Sequence, residues 1–226
     1  MDDTNTYIEM VKAPTQHDYE FTSDWFSRHE PLWKSLIAEL RPKKILEIGA
    51  FEGRCTTYLA ETCGAWHNTE IFCVDMWDDK LQYSDLQMEA MEDVKARFDK
   101  NIRIAKSKTQ YDVTVYPLVA DSVLGLGQIA SQNIRDFDLV YIDGSHIAST
   151  VFFDAAMAFQ LARVGAAIIF DDYREDAYMP WIYPKIAIDA FAKVHENKIK
   201  HVQFFDDGKE ISLDKQYQRY FWKISQ

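Results

Sequence analysis

Residues 137–146 read FDLVYIDGSH and residues 164–173 read VGAAIIFDDY, and these two stretches decide the fold. Each is a short apolar run that ends in acidic and small polar residues, which is typical of a buried strand reaching the edge of a sheet. The residues between them carry one apolar helical stripe. A strand–helix–strand unit with parallel strands is therefore predicted. Its bounds are 137–142, 147–163 and 166–170, with Gly165 ending the helix.

The same alternation continues outward to both ends of the chain. Helical patterns separate most of the apolar runs, as in βαβ units, whereas the last two runs have a connection short enough for an antiparallel pair. The predicted fold class is α/β, a Rossmann-like, doubly wound, seven-stranded and mostly parallel sheet with an antiparallel last strand. The five further strands are predicted at 44–48, 71–75, 113–119, 200–205 and 217–224.

An additional helix is predicted ahead of the first strand. Ser23 is a candidate cap, an apolar stripe runs to Leu40, and Pro42 ends the pattern. Residues 1–42 are therefore expected to form a helical segment that packs on the core or forms a lid, with residues 43–226 as the main domain. Other helices are predicted from about Thr56 and near 86–106.

The composition excludes several classes of protein. The 226-residue chain has a net charge of −11, which lacks the basic footprint of a nucleic-acid binder. Its three cysteines show no C-x-x-C spacing, and no apolar run approaches the length of a membrane span. The acidic, polar N-terminus is unlike a secretory signal. We expect a cytoplasmic protein that binds neither nucleic acid nor membrane.

The turn after the first strand, residues 47–53, reads EIGAFEG. Glycines let the backbone turn sharply and approach a ligand closely, although a plain strand-to-helix turn would look similar. The G-x-G-x-x-G pattern of dinucleotide sites is not matched, because Phe51 stands where its middle glycine would be. Asp75 ends the second strand and suits a ribose diol. Asp121 follows the third strand, where it could equally cap a helix.

Three carboxylates follow two adjacent strands of the predicted sheet: Asp143 after one, and Asp171 with Asp172 after the next. Neighbouring strand ends are close enough for these side chains to converge, and a hard cation would relieve their repulsion. Oxygen ligands favour Mg²⁺, Mn²⁺ or Ca²⁺. The alternative is three solvated loop acids. His146 lies three residues after Asp143, and a neutral imidazole is a suitable general base.

These motifs resemble class I S-adenosylmethionine-dependent methyltransferases. EIGAFEG is similar to their first motif, and the stretch from Phe137 to Tyr173 resembles the metal-dependent O-methyltransferase group that includes catechol and macrocin-type sugar O-methyltransferases, the latter more closely. Cys55 stands where the group usually has serine, so Thr56 is the expected replacement. The resemblance implies cofactor contacts from Glu47, Gly49, Ala50, Phe51, Gly53, Thr56, Asp75, Met76, Asp121 and Ser122.

The resemblance also implies a metal site and a catalytic pair. Asp143, Asp171 and Asp172 would bind the cation, and His146 and Asp143 would be catalytic. The expected function is an S-adenosylmethionine-dependent, divalent-metal-assisted O-methyltransferase acting on a hydroxyl of a small molecule, either a sugar or a phenol. Two alternatives stay open: an NAD-type oxidoreductase, and a catalytically silent S-adenosylmethionine-binding module. A homo-oligomer is also possible.

Overall fold

A computed structural model describes residues 19–77, 93–173 and 183–226. The strands of its main sheet are β1 (Lys44–Ile48), β2 (Thr69–Asp75), β3 (Val113–Val119), β4 (Phe137–Ile142), β5 (Ala162–Phe170), β6 (Ile199–His201) and β9 (Arg219–Lys223), and a small hairpin is formed by β7 (Phe205–Asp206) and β8 (Lys209–Glu210). The seven-stranded sheet has the order β3-β2-β1-β4-β5-β9-β6, and all its strands but β9 run in one direction. The predicted fold class is confirmed.

Six helices of the described residues cover the two faces of the sheet and form two apolar cores. The first three bury side chains such as Trp33, Leu59 and Phe98 on one face, and the last three bury Leu126, Phe159 and similar residues on the other. The doubly wound arrangement follows, because each face of a parallel sheet must be covered. The helices are α1 (Glu30–Leu40), α2 (Arg54–Gly64), α3 (Val94–Ser107), α4 (Ser122–Ser131), α5 (Ala148–Leu161) and α6 (Pro184–Val194).

Helix α1 begins later than the sequence predicts. A 3-10 turn at Ser27–His29 precedes it, and its left-handed end at Arg41 lies before the proline that was expected to end it. Trp33 is fully buried and its indole donates a 2.8 Å hydrogen bond to Gln218 Oε1, beside β9. This hydrogen bond joins α1 to the segment just before β9, near the C-terminal end of the described chain. The division into residues 1–42 and 43–226 stays a prediction.

The start of β5 differs from the prediction. Gly165 was expected to end the preceding helix, but the helix ends at Leu161 and the strand begins at once with Ala162. Phe137 pairs with Ala162 while Leu139 pairs with Ala167, so β5 carries a bulge, in which Gly165 has φ +83°. A glycine suits both the predicted helix end and the observed bulge, because each needs a residue with positive φ.

The two C-terminal strands pair antiparallel as predicted, but both are shorter than predicted, and the hairpin β7–β8 lies between them. The start of the helix predicted near 86–106 and most of the loop before it lie outside the described residues. Within the described residues, none of the helices has the length and apolarity that crossing a membrane requires.

Candidate active site

The turn after β1 lies directly beneath the end of β4. Gly49 has φ +85°, and a Cβ atom built on it would lie 2.0 Å from the carbonyl oxygen of Asp143. A side chain is excluded there by contact as well as by backbone conformation. The glycine therefore allows the turn and the β4 loop to meet, which places the predicted cofactor residues beside the predicted catalytic ones.

Asp75, at the end of β2, holds the shape of this turn. Its Oδ2 accepts hydrogen bonds of 2.9 Å from the main-chain N–H groups of Ala50 and Phe51, and its Oδ1 accepts one of 2.8 Å from Trp77. A carboxylate oxygen has two lone pairs, so Oδ1 retains one acceptor position. The cofactor contacts of Asp75, Ala50, Phe51 and the partly exposed Met76 stay predictions.

Glu47 and Thr56 form a buried pair behind the turn. Thr56 is fully buried and its hydroxyl donates to Glu47 Oε2 at 2.6 Å, while Cys73 Sγ lies 3.7 Å from the same oxygen. Burial raises the pKa of the Glu47 carboxyl to about 7. The Thr56 hydroxyl thus faces inward, and Cys55 lines the cleft in its place. The cofactor contacts predicted for Glu47, Gly53 and Thr56 stay predictions.

A cleft opens between the glycine turn and the segment that precedes α1. Trp25 on that segment is 46% exposed, and its ring lies 5.1 Å from the ring of Phe51 across the opening. The cleft is lined from the N-terminal side by Phe21, Ser23, Trp25 and Phe26, from the turn by Gly49, Ala50, Phe51, Glu52, Arg54 and Cys55, and by Glu47 and Asp143 at its base.

After β3, Asp121 caps a helix, which is the alternative to a cofactor contact that the sequence left open. Asp121 is the N-cap of α4, and its Oδ1 accepts a 2.8 Å hydrogen bond from the main-chain N–H of Leu124. Ser122 is the first residue of the helix, and Val123 and Leu124 are exposed beside it. Asp121 therefore serves as a helix cap, and its cofactor contact, like that of Ser122, stays a prediction.

Tyr141 joins two of the predicted carboxylates. Its buried hydroxyl lies 2.8 Å from Asp143 Oδ2 and 2.6 Å from Asp171 Oδ2. A hydroxyl has one proton, so both contacts are hydrogen bonds only when one carboxyl group is itself protonated. Burial and the neighbouring carboxylate charges raise the pKa of Asp143 well above its usual range and that of Asp171 to about 6. The carboxyl groups of Asp143 and Asp171 therefore bind a proton more readily than an ordinary aspartate does.

His146 pairs with the third carboxylate. Its Nε2 lies 3.0 Å from Asp172 Oδ2, and its side chain is 39% exposed. An imidazole that donates through Nε2 to a carboxylate carries its lone pair on Nδ1. Asp172 has φ +53°, a conformation that is uncommon outside glycine. The structure thus brings His146 to Asp172 on the next strand end; the catalytic roles of His146 and Asp143 stay predictions.

Three residues of the site were not found from the sequence: Tyr141, His29 and Glu52. His29 is buried with its Nε2 3.8 Å from Asp171 Oδ1, but the same nitrogen accepts a 3.0 Å hydrogen bond from Arg28 Nε. Burial, followed by the charge of Arg28, lowers its pKa to about 4, so it is a neutral neighbour of the carboxylates. Tyr141 and Glu52 lie within the quoted motifs without a role assigned to them there, and His29 lies outside these motifs. The contacts of all three residues depend on segments that are distant in the sequence.

The predicted metal ligands converge less than expected. Within the described ranges of the chain, no group of three or more His, Cys, Asp and Glu side chains is placed to hold a metal ion. The carboxylates of Asp143 and Asp171 face the Tyr141 hydroxyl, and Asp172 faces His146.

Comparison with known proteins gives the family. Residues 46–173 match a family model described as a methyltransferase domain, and no curated protein matches the sequence significantly. A solved O-methyltransferase from Bacillus cereus, in complex with SAH (S-adenosylhomocysteine), has a TM-score of 0.60 at 17% identity, covering 91% of this chain and 84% of that one.

Two further solved structures are similar in fold. The O-methyltransferase TomG from Streptomyces achromogenes, in complex with SAM (S-adenosylmethionine), has a TM-score of 0.58 at 14% identity over 88% of this chain and 80% of that one. A putative O-methyltransferase from Klebsiella pneumoniae has the same score and identity over 91% and 84%. The family match covers more than half of the chain. The chain therefore belongs to the methyltransferase-domain family, which confirms the resemblance to class I S-adenosylmethionine-dependent methyltransferases.

Proposed function

We propose that this protein transfers the methyl group of S-adenosylmethionine to a hydroxyl oxygen of a small molecule, either a sugar or a phenol. The observation that carries the proposal is the His146–Asp172 pair, which lies beside Asp143 at the end of the sheet where the glycine turn opens. A base at this place suits an acceptor that must lose a proton. The structural neighbours named as O-methyltransferases, with SAH or SAM bound, support the same chemistry.

The residues at the turn fit a nucleoside cofactor with an amino-acid tail. Gly49 keeps the main chain bare at the cleft, and the carboxylates of Glu47 and Asp75 lie behind and beside it. Such groups suit an ammonium and a ribose diol respectively. When bound, S-adenosylmethionine supplies a methyl group on a sulfonium, and its transfer to oxygen leaves S-adenosylhomocysteine.

The protein's own part in the reaction is to orient the acceptor and remove its proton. Asp172 pairs with Nε2 of the His146 ring and orients it, and the imidazole is the group that takes the hydroxyl proton. The walls of the cleft then align the acceptor oxygen with the methyl carbon, opposite the departing sulfur. Alignment of this kind is worth roughly 7–11 kcal/mol in favourable cases.

The expected Mg²⁺ site does not fit this arrangement of side chains. The Asp143 and Asp171 Oδ2 atoms both face the Tyr141 hydroxyl, and Asp171 Oδ1 accepts the main-chain N–H of Asp172 at 2.8 Å. The three carboxylates thus face different partners rather than one common point, so we derive no step through a metal. Metal assistance by Mg²⁺, Mn²⁺ or Ca²⁺ stays a prediction that the assay below tests.

Binding and transfer should be measured separately. Calorimetric titration of SAH should give micromolar affinity, and labelled SAM should then donate its methyl group to at least one member of a panel of sugars and phenols. Running the assay in EDTA and in Mg²⁺ shows whether a cation contributes. SAH binding without any transfer would favour the silent module, and NADH binding without SAH binding would favour the oxidoreductase.

A further inference from the structure

Residues 19–26, called here the strap, cross the glycine turn on the side of the cleft away from the sheet. Thr22 fixes the middle of the strap to Glu52, a residue of the turn itself. The main-chain N–H of Thr22 donates to Glu52 Oε2 at 2.6 Å, and its hydroxyl donates to Oε1 at 2.8 Å. Glu52 is 1% exposed, so the accepting carboxylate of both bonds is buried, whereas Thr22 itself is exposed.

Helix α3 secures the same junction from behind. Arg97 Nε lies 2.5 Å from Glu52 Oε1 and pairs with its charge. The buried Asn101 amide donates to the carbonyl oxygens of Glu52 at 2.9 Å and Glu20 at 2.8 Å, and its Oδ1 accepts from the Glu20 N–H at 2.8 Å. One carboxylate and one amide thus join the strap, the turn and α3.

The opposite side of the strap is a wall of the candidate cofactor cleft. Ser23, Trp25 and Phe26 line it, and Trp25 faces Phe51 across the opening. Arg54 donates two hydrogen bonds, of 3.1 and 2.9 Å, to the carbonyl oxygen of Ser23. Hydrogen bonds from Arg54 to Ser23 and from Thr22 to Glu52 therefore both hold the segment that forms this wall.

We propose that Glu52 is a positioning residue that acts through Thr22 to hold the strap, and with it the Trp25 wall, closed against the cofactor. The inference rests on the proposed function, because it takes the cleft to be the cofactor site. Although Glu52 also borders the cleft, the role proposed for its carboxylate is to hold Thr22 rather than to take part in methyl transfer. Its effect should appear in cofactor affinity and in the rate at which the cofactor leaves.

The physical reason is the cost of losing a buried acceptor. Glu52→Gln removes the negative charge that pairs with Arg97 and replaces one oxygen by a donor, which cannot accept from Thr22. Hydrogen bonds to charged groups contribute enough that we expect about a tenfold rise in the Kd for SAH. Thr22→Val, at an exposed position where the fold is tolerant, should give a smaller rise in the same direction.

The chain offers a matched control at the other end of the sheet. Asp138 accepts main-chain hydrogen bonds of 2.7 and 2.8 Å from Lys43 and Lys44 and one of 2.5 Å from Arg163 Nε. Asp138→Asn therefore removes a carboxylate of the same kind with no connection to the cleft. It should lower the melting temperature while leaving the SAH affinity within about twofold.

The experiment measures SAH affinity and dissociation rate for the unaltered protein, for the single variants Glu52→Gln, Thr22→Val, Trp25→Ala and Asp138→Asn, and for the Glu52→Gln, Thr22→Val double variant. Action through Thr22 predicts that the double variant binds no more weakly than Glu52→Gln alone. Wild-type affinity in Glu52→Gln, or an equal loss in Asp138→Asn, would overturn the inference. If Glu52→Gln does not fold, wild-type affinity in both Thr22→Val and Trp25→Ala overturns it. Failure of the unaltered protein to bind SAH would instead remove the proposed function.

Discussion

The His146 imidazole can be tested apart from the fold that carries it. Its side chain is partly exposed and its pairing with Asp172 crosses between two loops, so His146→Asn should fold normally. Loss of a general base typically costs 10²–10⁴ in rate, and we expect a fall of about that size in kcat with the Kd for SAH unchanged. Single-turnover methyl transfer together with SAH titration measures both quantities.

A second histidine supplies the control for this experiment. His195, the C-cap of α6, packs against the rings of Phe159 and Phe191, away from the carboxylates, and its Nδ1 lies 3.0 Å from the carbonyl oxygen of Phe191. His195→Asn should change stability and leave kcat within about twofold. Full turnover in His146→Asn would show that another group accepts the proton.

Glu47 makes the stability of the protein depend on pH. Burial raises its pKa from 4.5 to about 7, so between these values the folded protein keeps a proton that the unfolded chain has lost. The contribution is fully present below about pH 4.5 and is lost as the pH rises through 7. Glu47→Gln stays neutral, and its unfolding free energy should gain roughly 2–3 kcal/mol on the wild type between pH 5 and pH 8.

Urea unfolding of both proteins at several pH values measures this difference directly. Because Asp143, Asp154 and Asp171 also have raised pKa values, the wild-type curve alone would mix several carboxyl groups. Subtracting the unfolding free energy of the wild type from that of Glu47→Gln at each pH cancels the contribution of these other carboxyl groups. A difference that stays constant with pH would mean that Glu47 is ionised throughout.

Among the elements, strands with clear ends were predictable from the sequence, and the junction between α5 and β5 was not. β1, β3 and β4 have the predicted bounds, because each apolar run is flanked by charged or turn-forming residues. At Gly165 the same signal has two meanings, since a glycine with positive φ serves a helix end and a strand bulge equally well. The pairing of β5 with β4 decides between them, and that pairing is a long-range contact.

The β1–α2 turn gives a prediction about one element as a unit. Gly49→Ala should destabilise the protein by at least about 3 kcal/mol, because it adds a contact with the Asp143 carbonyl to the strain of a positive φ. Gly208→Ala has the positive φ without any neighbour within 4 Å and should cost about 1 kcal/mol. Gly127→Ala, in α4 with open space around it, should be neutral or slightly stabilising.

Denaturant unfolding of the three variants ranks these costs. A similar loss in Gly49→Ala and Gly208→Ala would mean that the turn can move away from the β4 loop. The close approach of the turn to the β4 loop would then be adjustable, and we would expect Gly49→Ala to change the SAH affinity only slightly.

The assembled molecule contains site features that no local pattern could reveal. Acidic residues at the strand ends were predictable, because a parallel sheet gathers its carboxyl ends at one edge. Their partners were not: Tyr141 looks like one more apolar strand residue, and His29 reaches Asp171 only after α1 packs across the sheet. The sequence predicts at which edge of the sheet the acidic residues lie, whereas only the contacts of the folded chain show which partner each carboxylate faces.

Ligand-induced stabilisation of the intact protein separates the remaining cofactor alternatives. A ligand that binds only the folded state at 100 times its Kd adds about 2.7 kcal/mol, which for a chain of this length corresponds to a rise in Tm of about 5–10 °C. We expect this rise with SAH and none with NADH, since Phe51 stands where a dinucleotide turn needs glycine. Calorimetric melting with each ligand measures the rise, with adenosine as a control for the nucleoside part alone. A rise in Tm with NADH but not with SAH would favour the oxidoreductase. If SAH raised the Tm no more than adenosine does, the methionine end of SAH would add nothing to binding. That result would count against the glycine turn as the binding site of the methionine end.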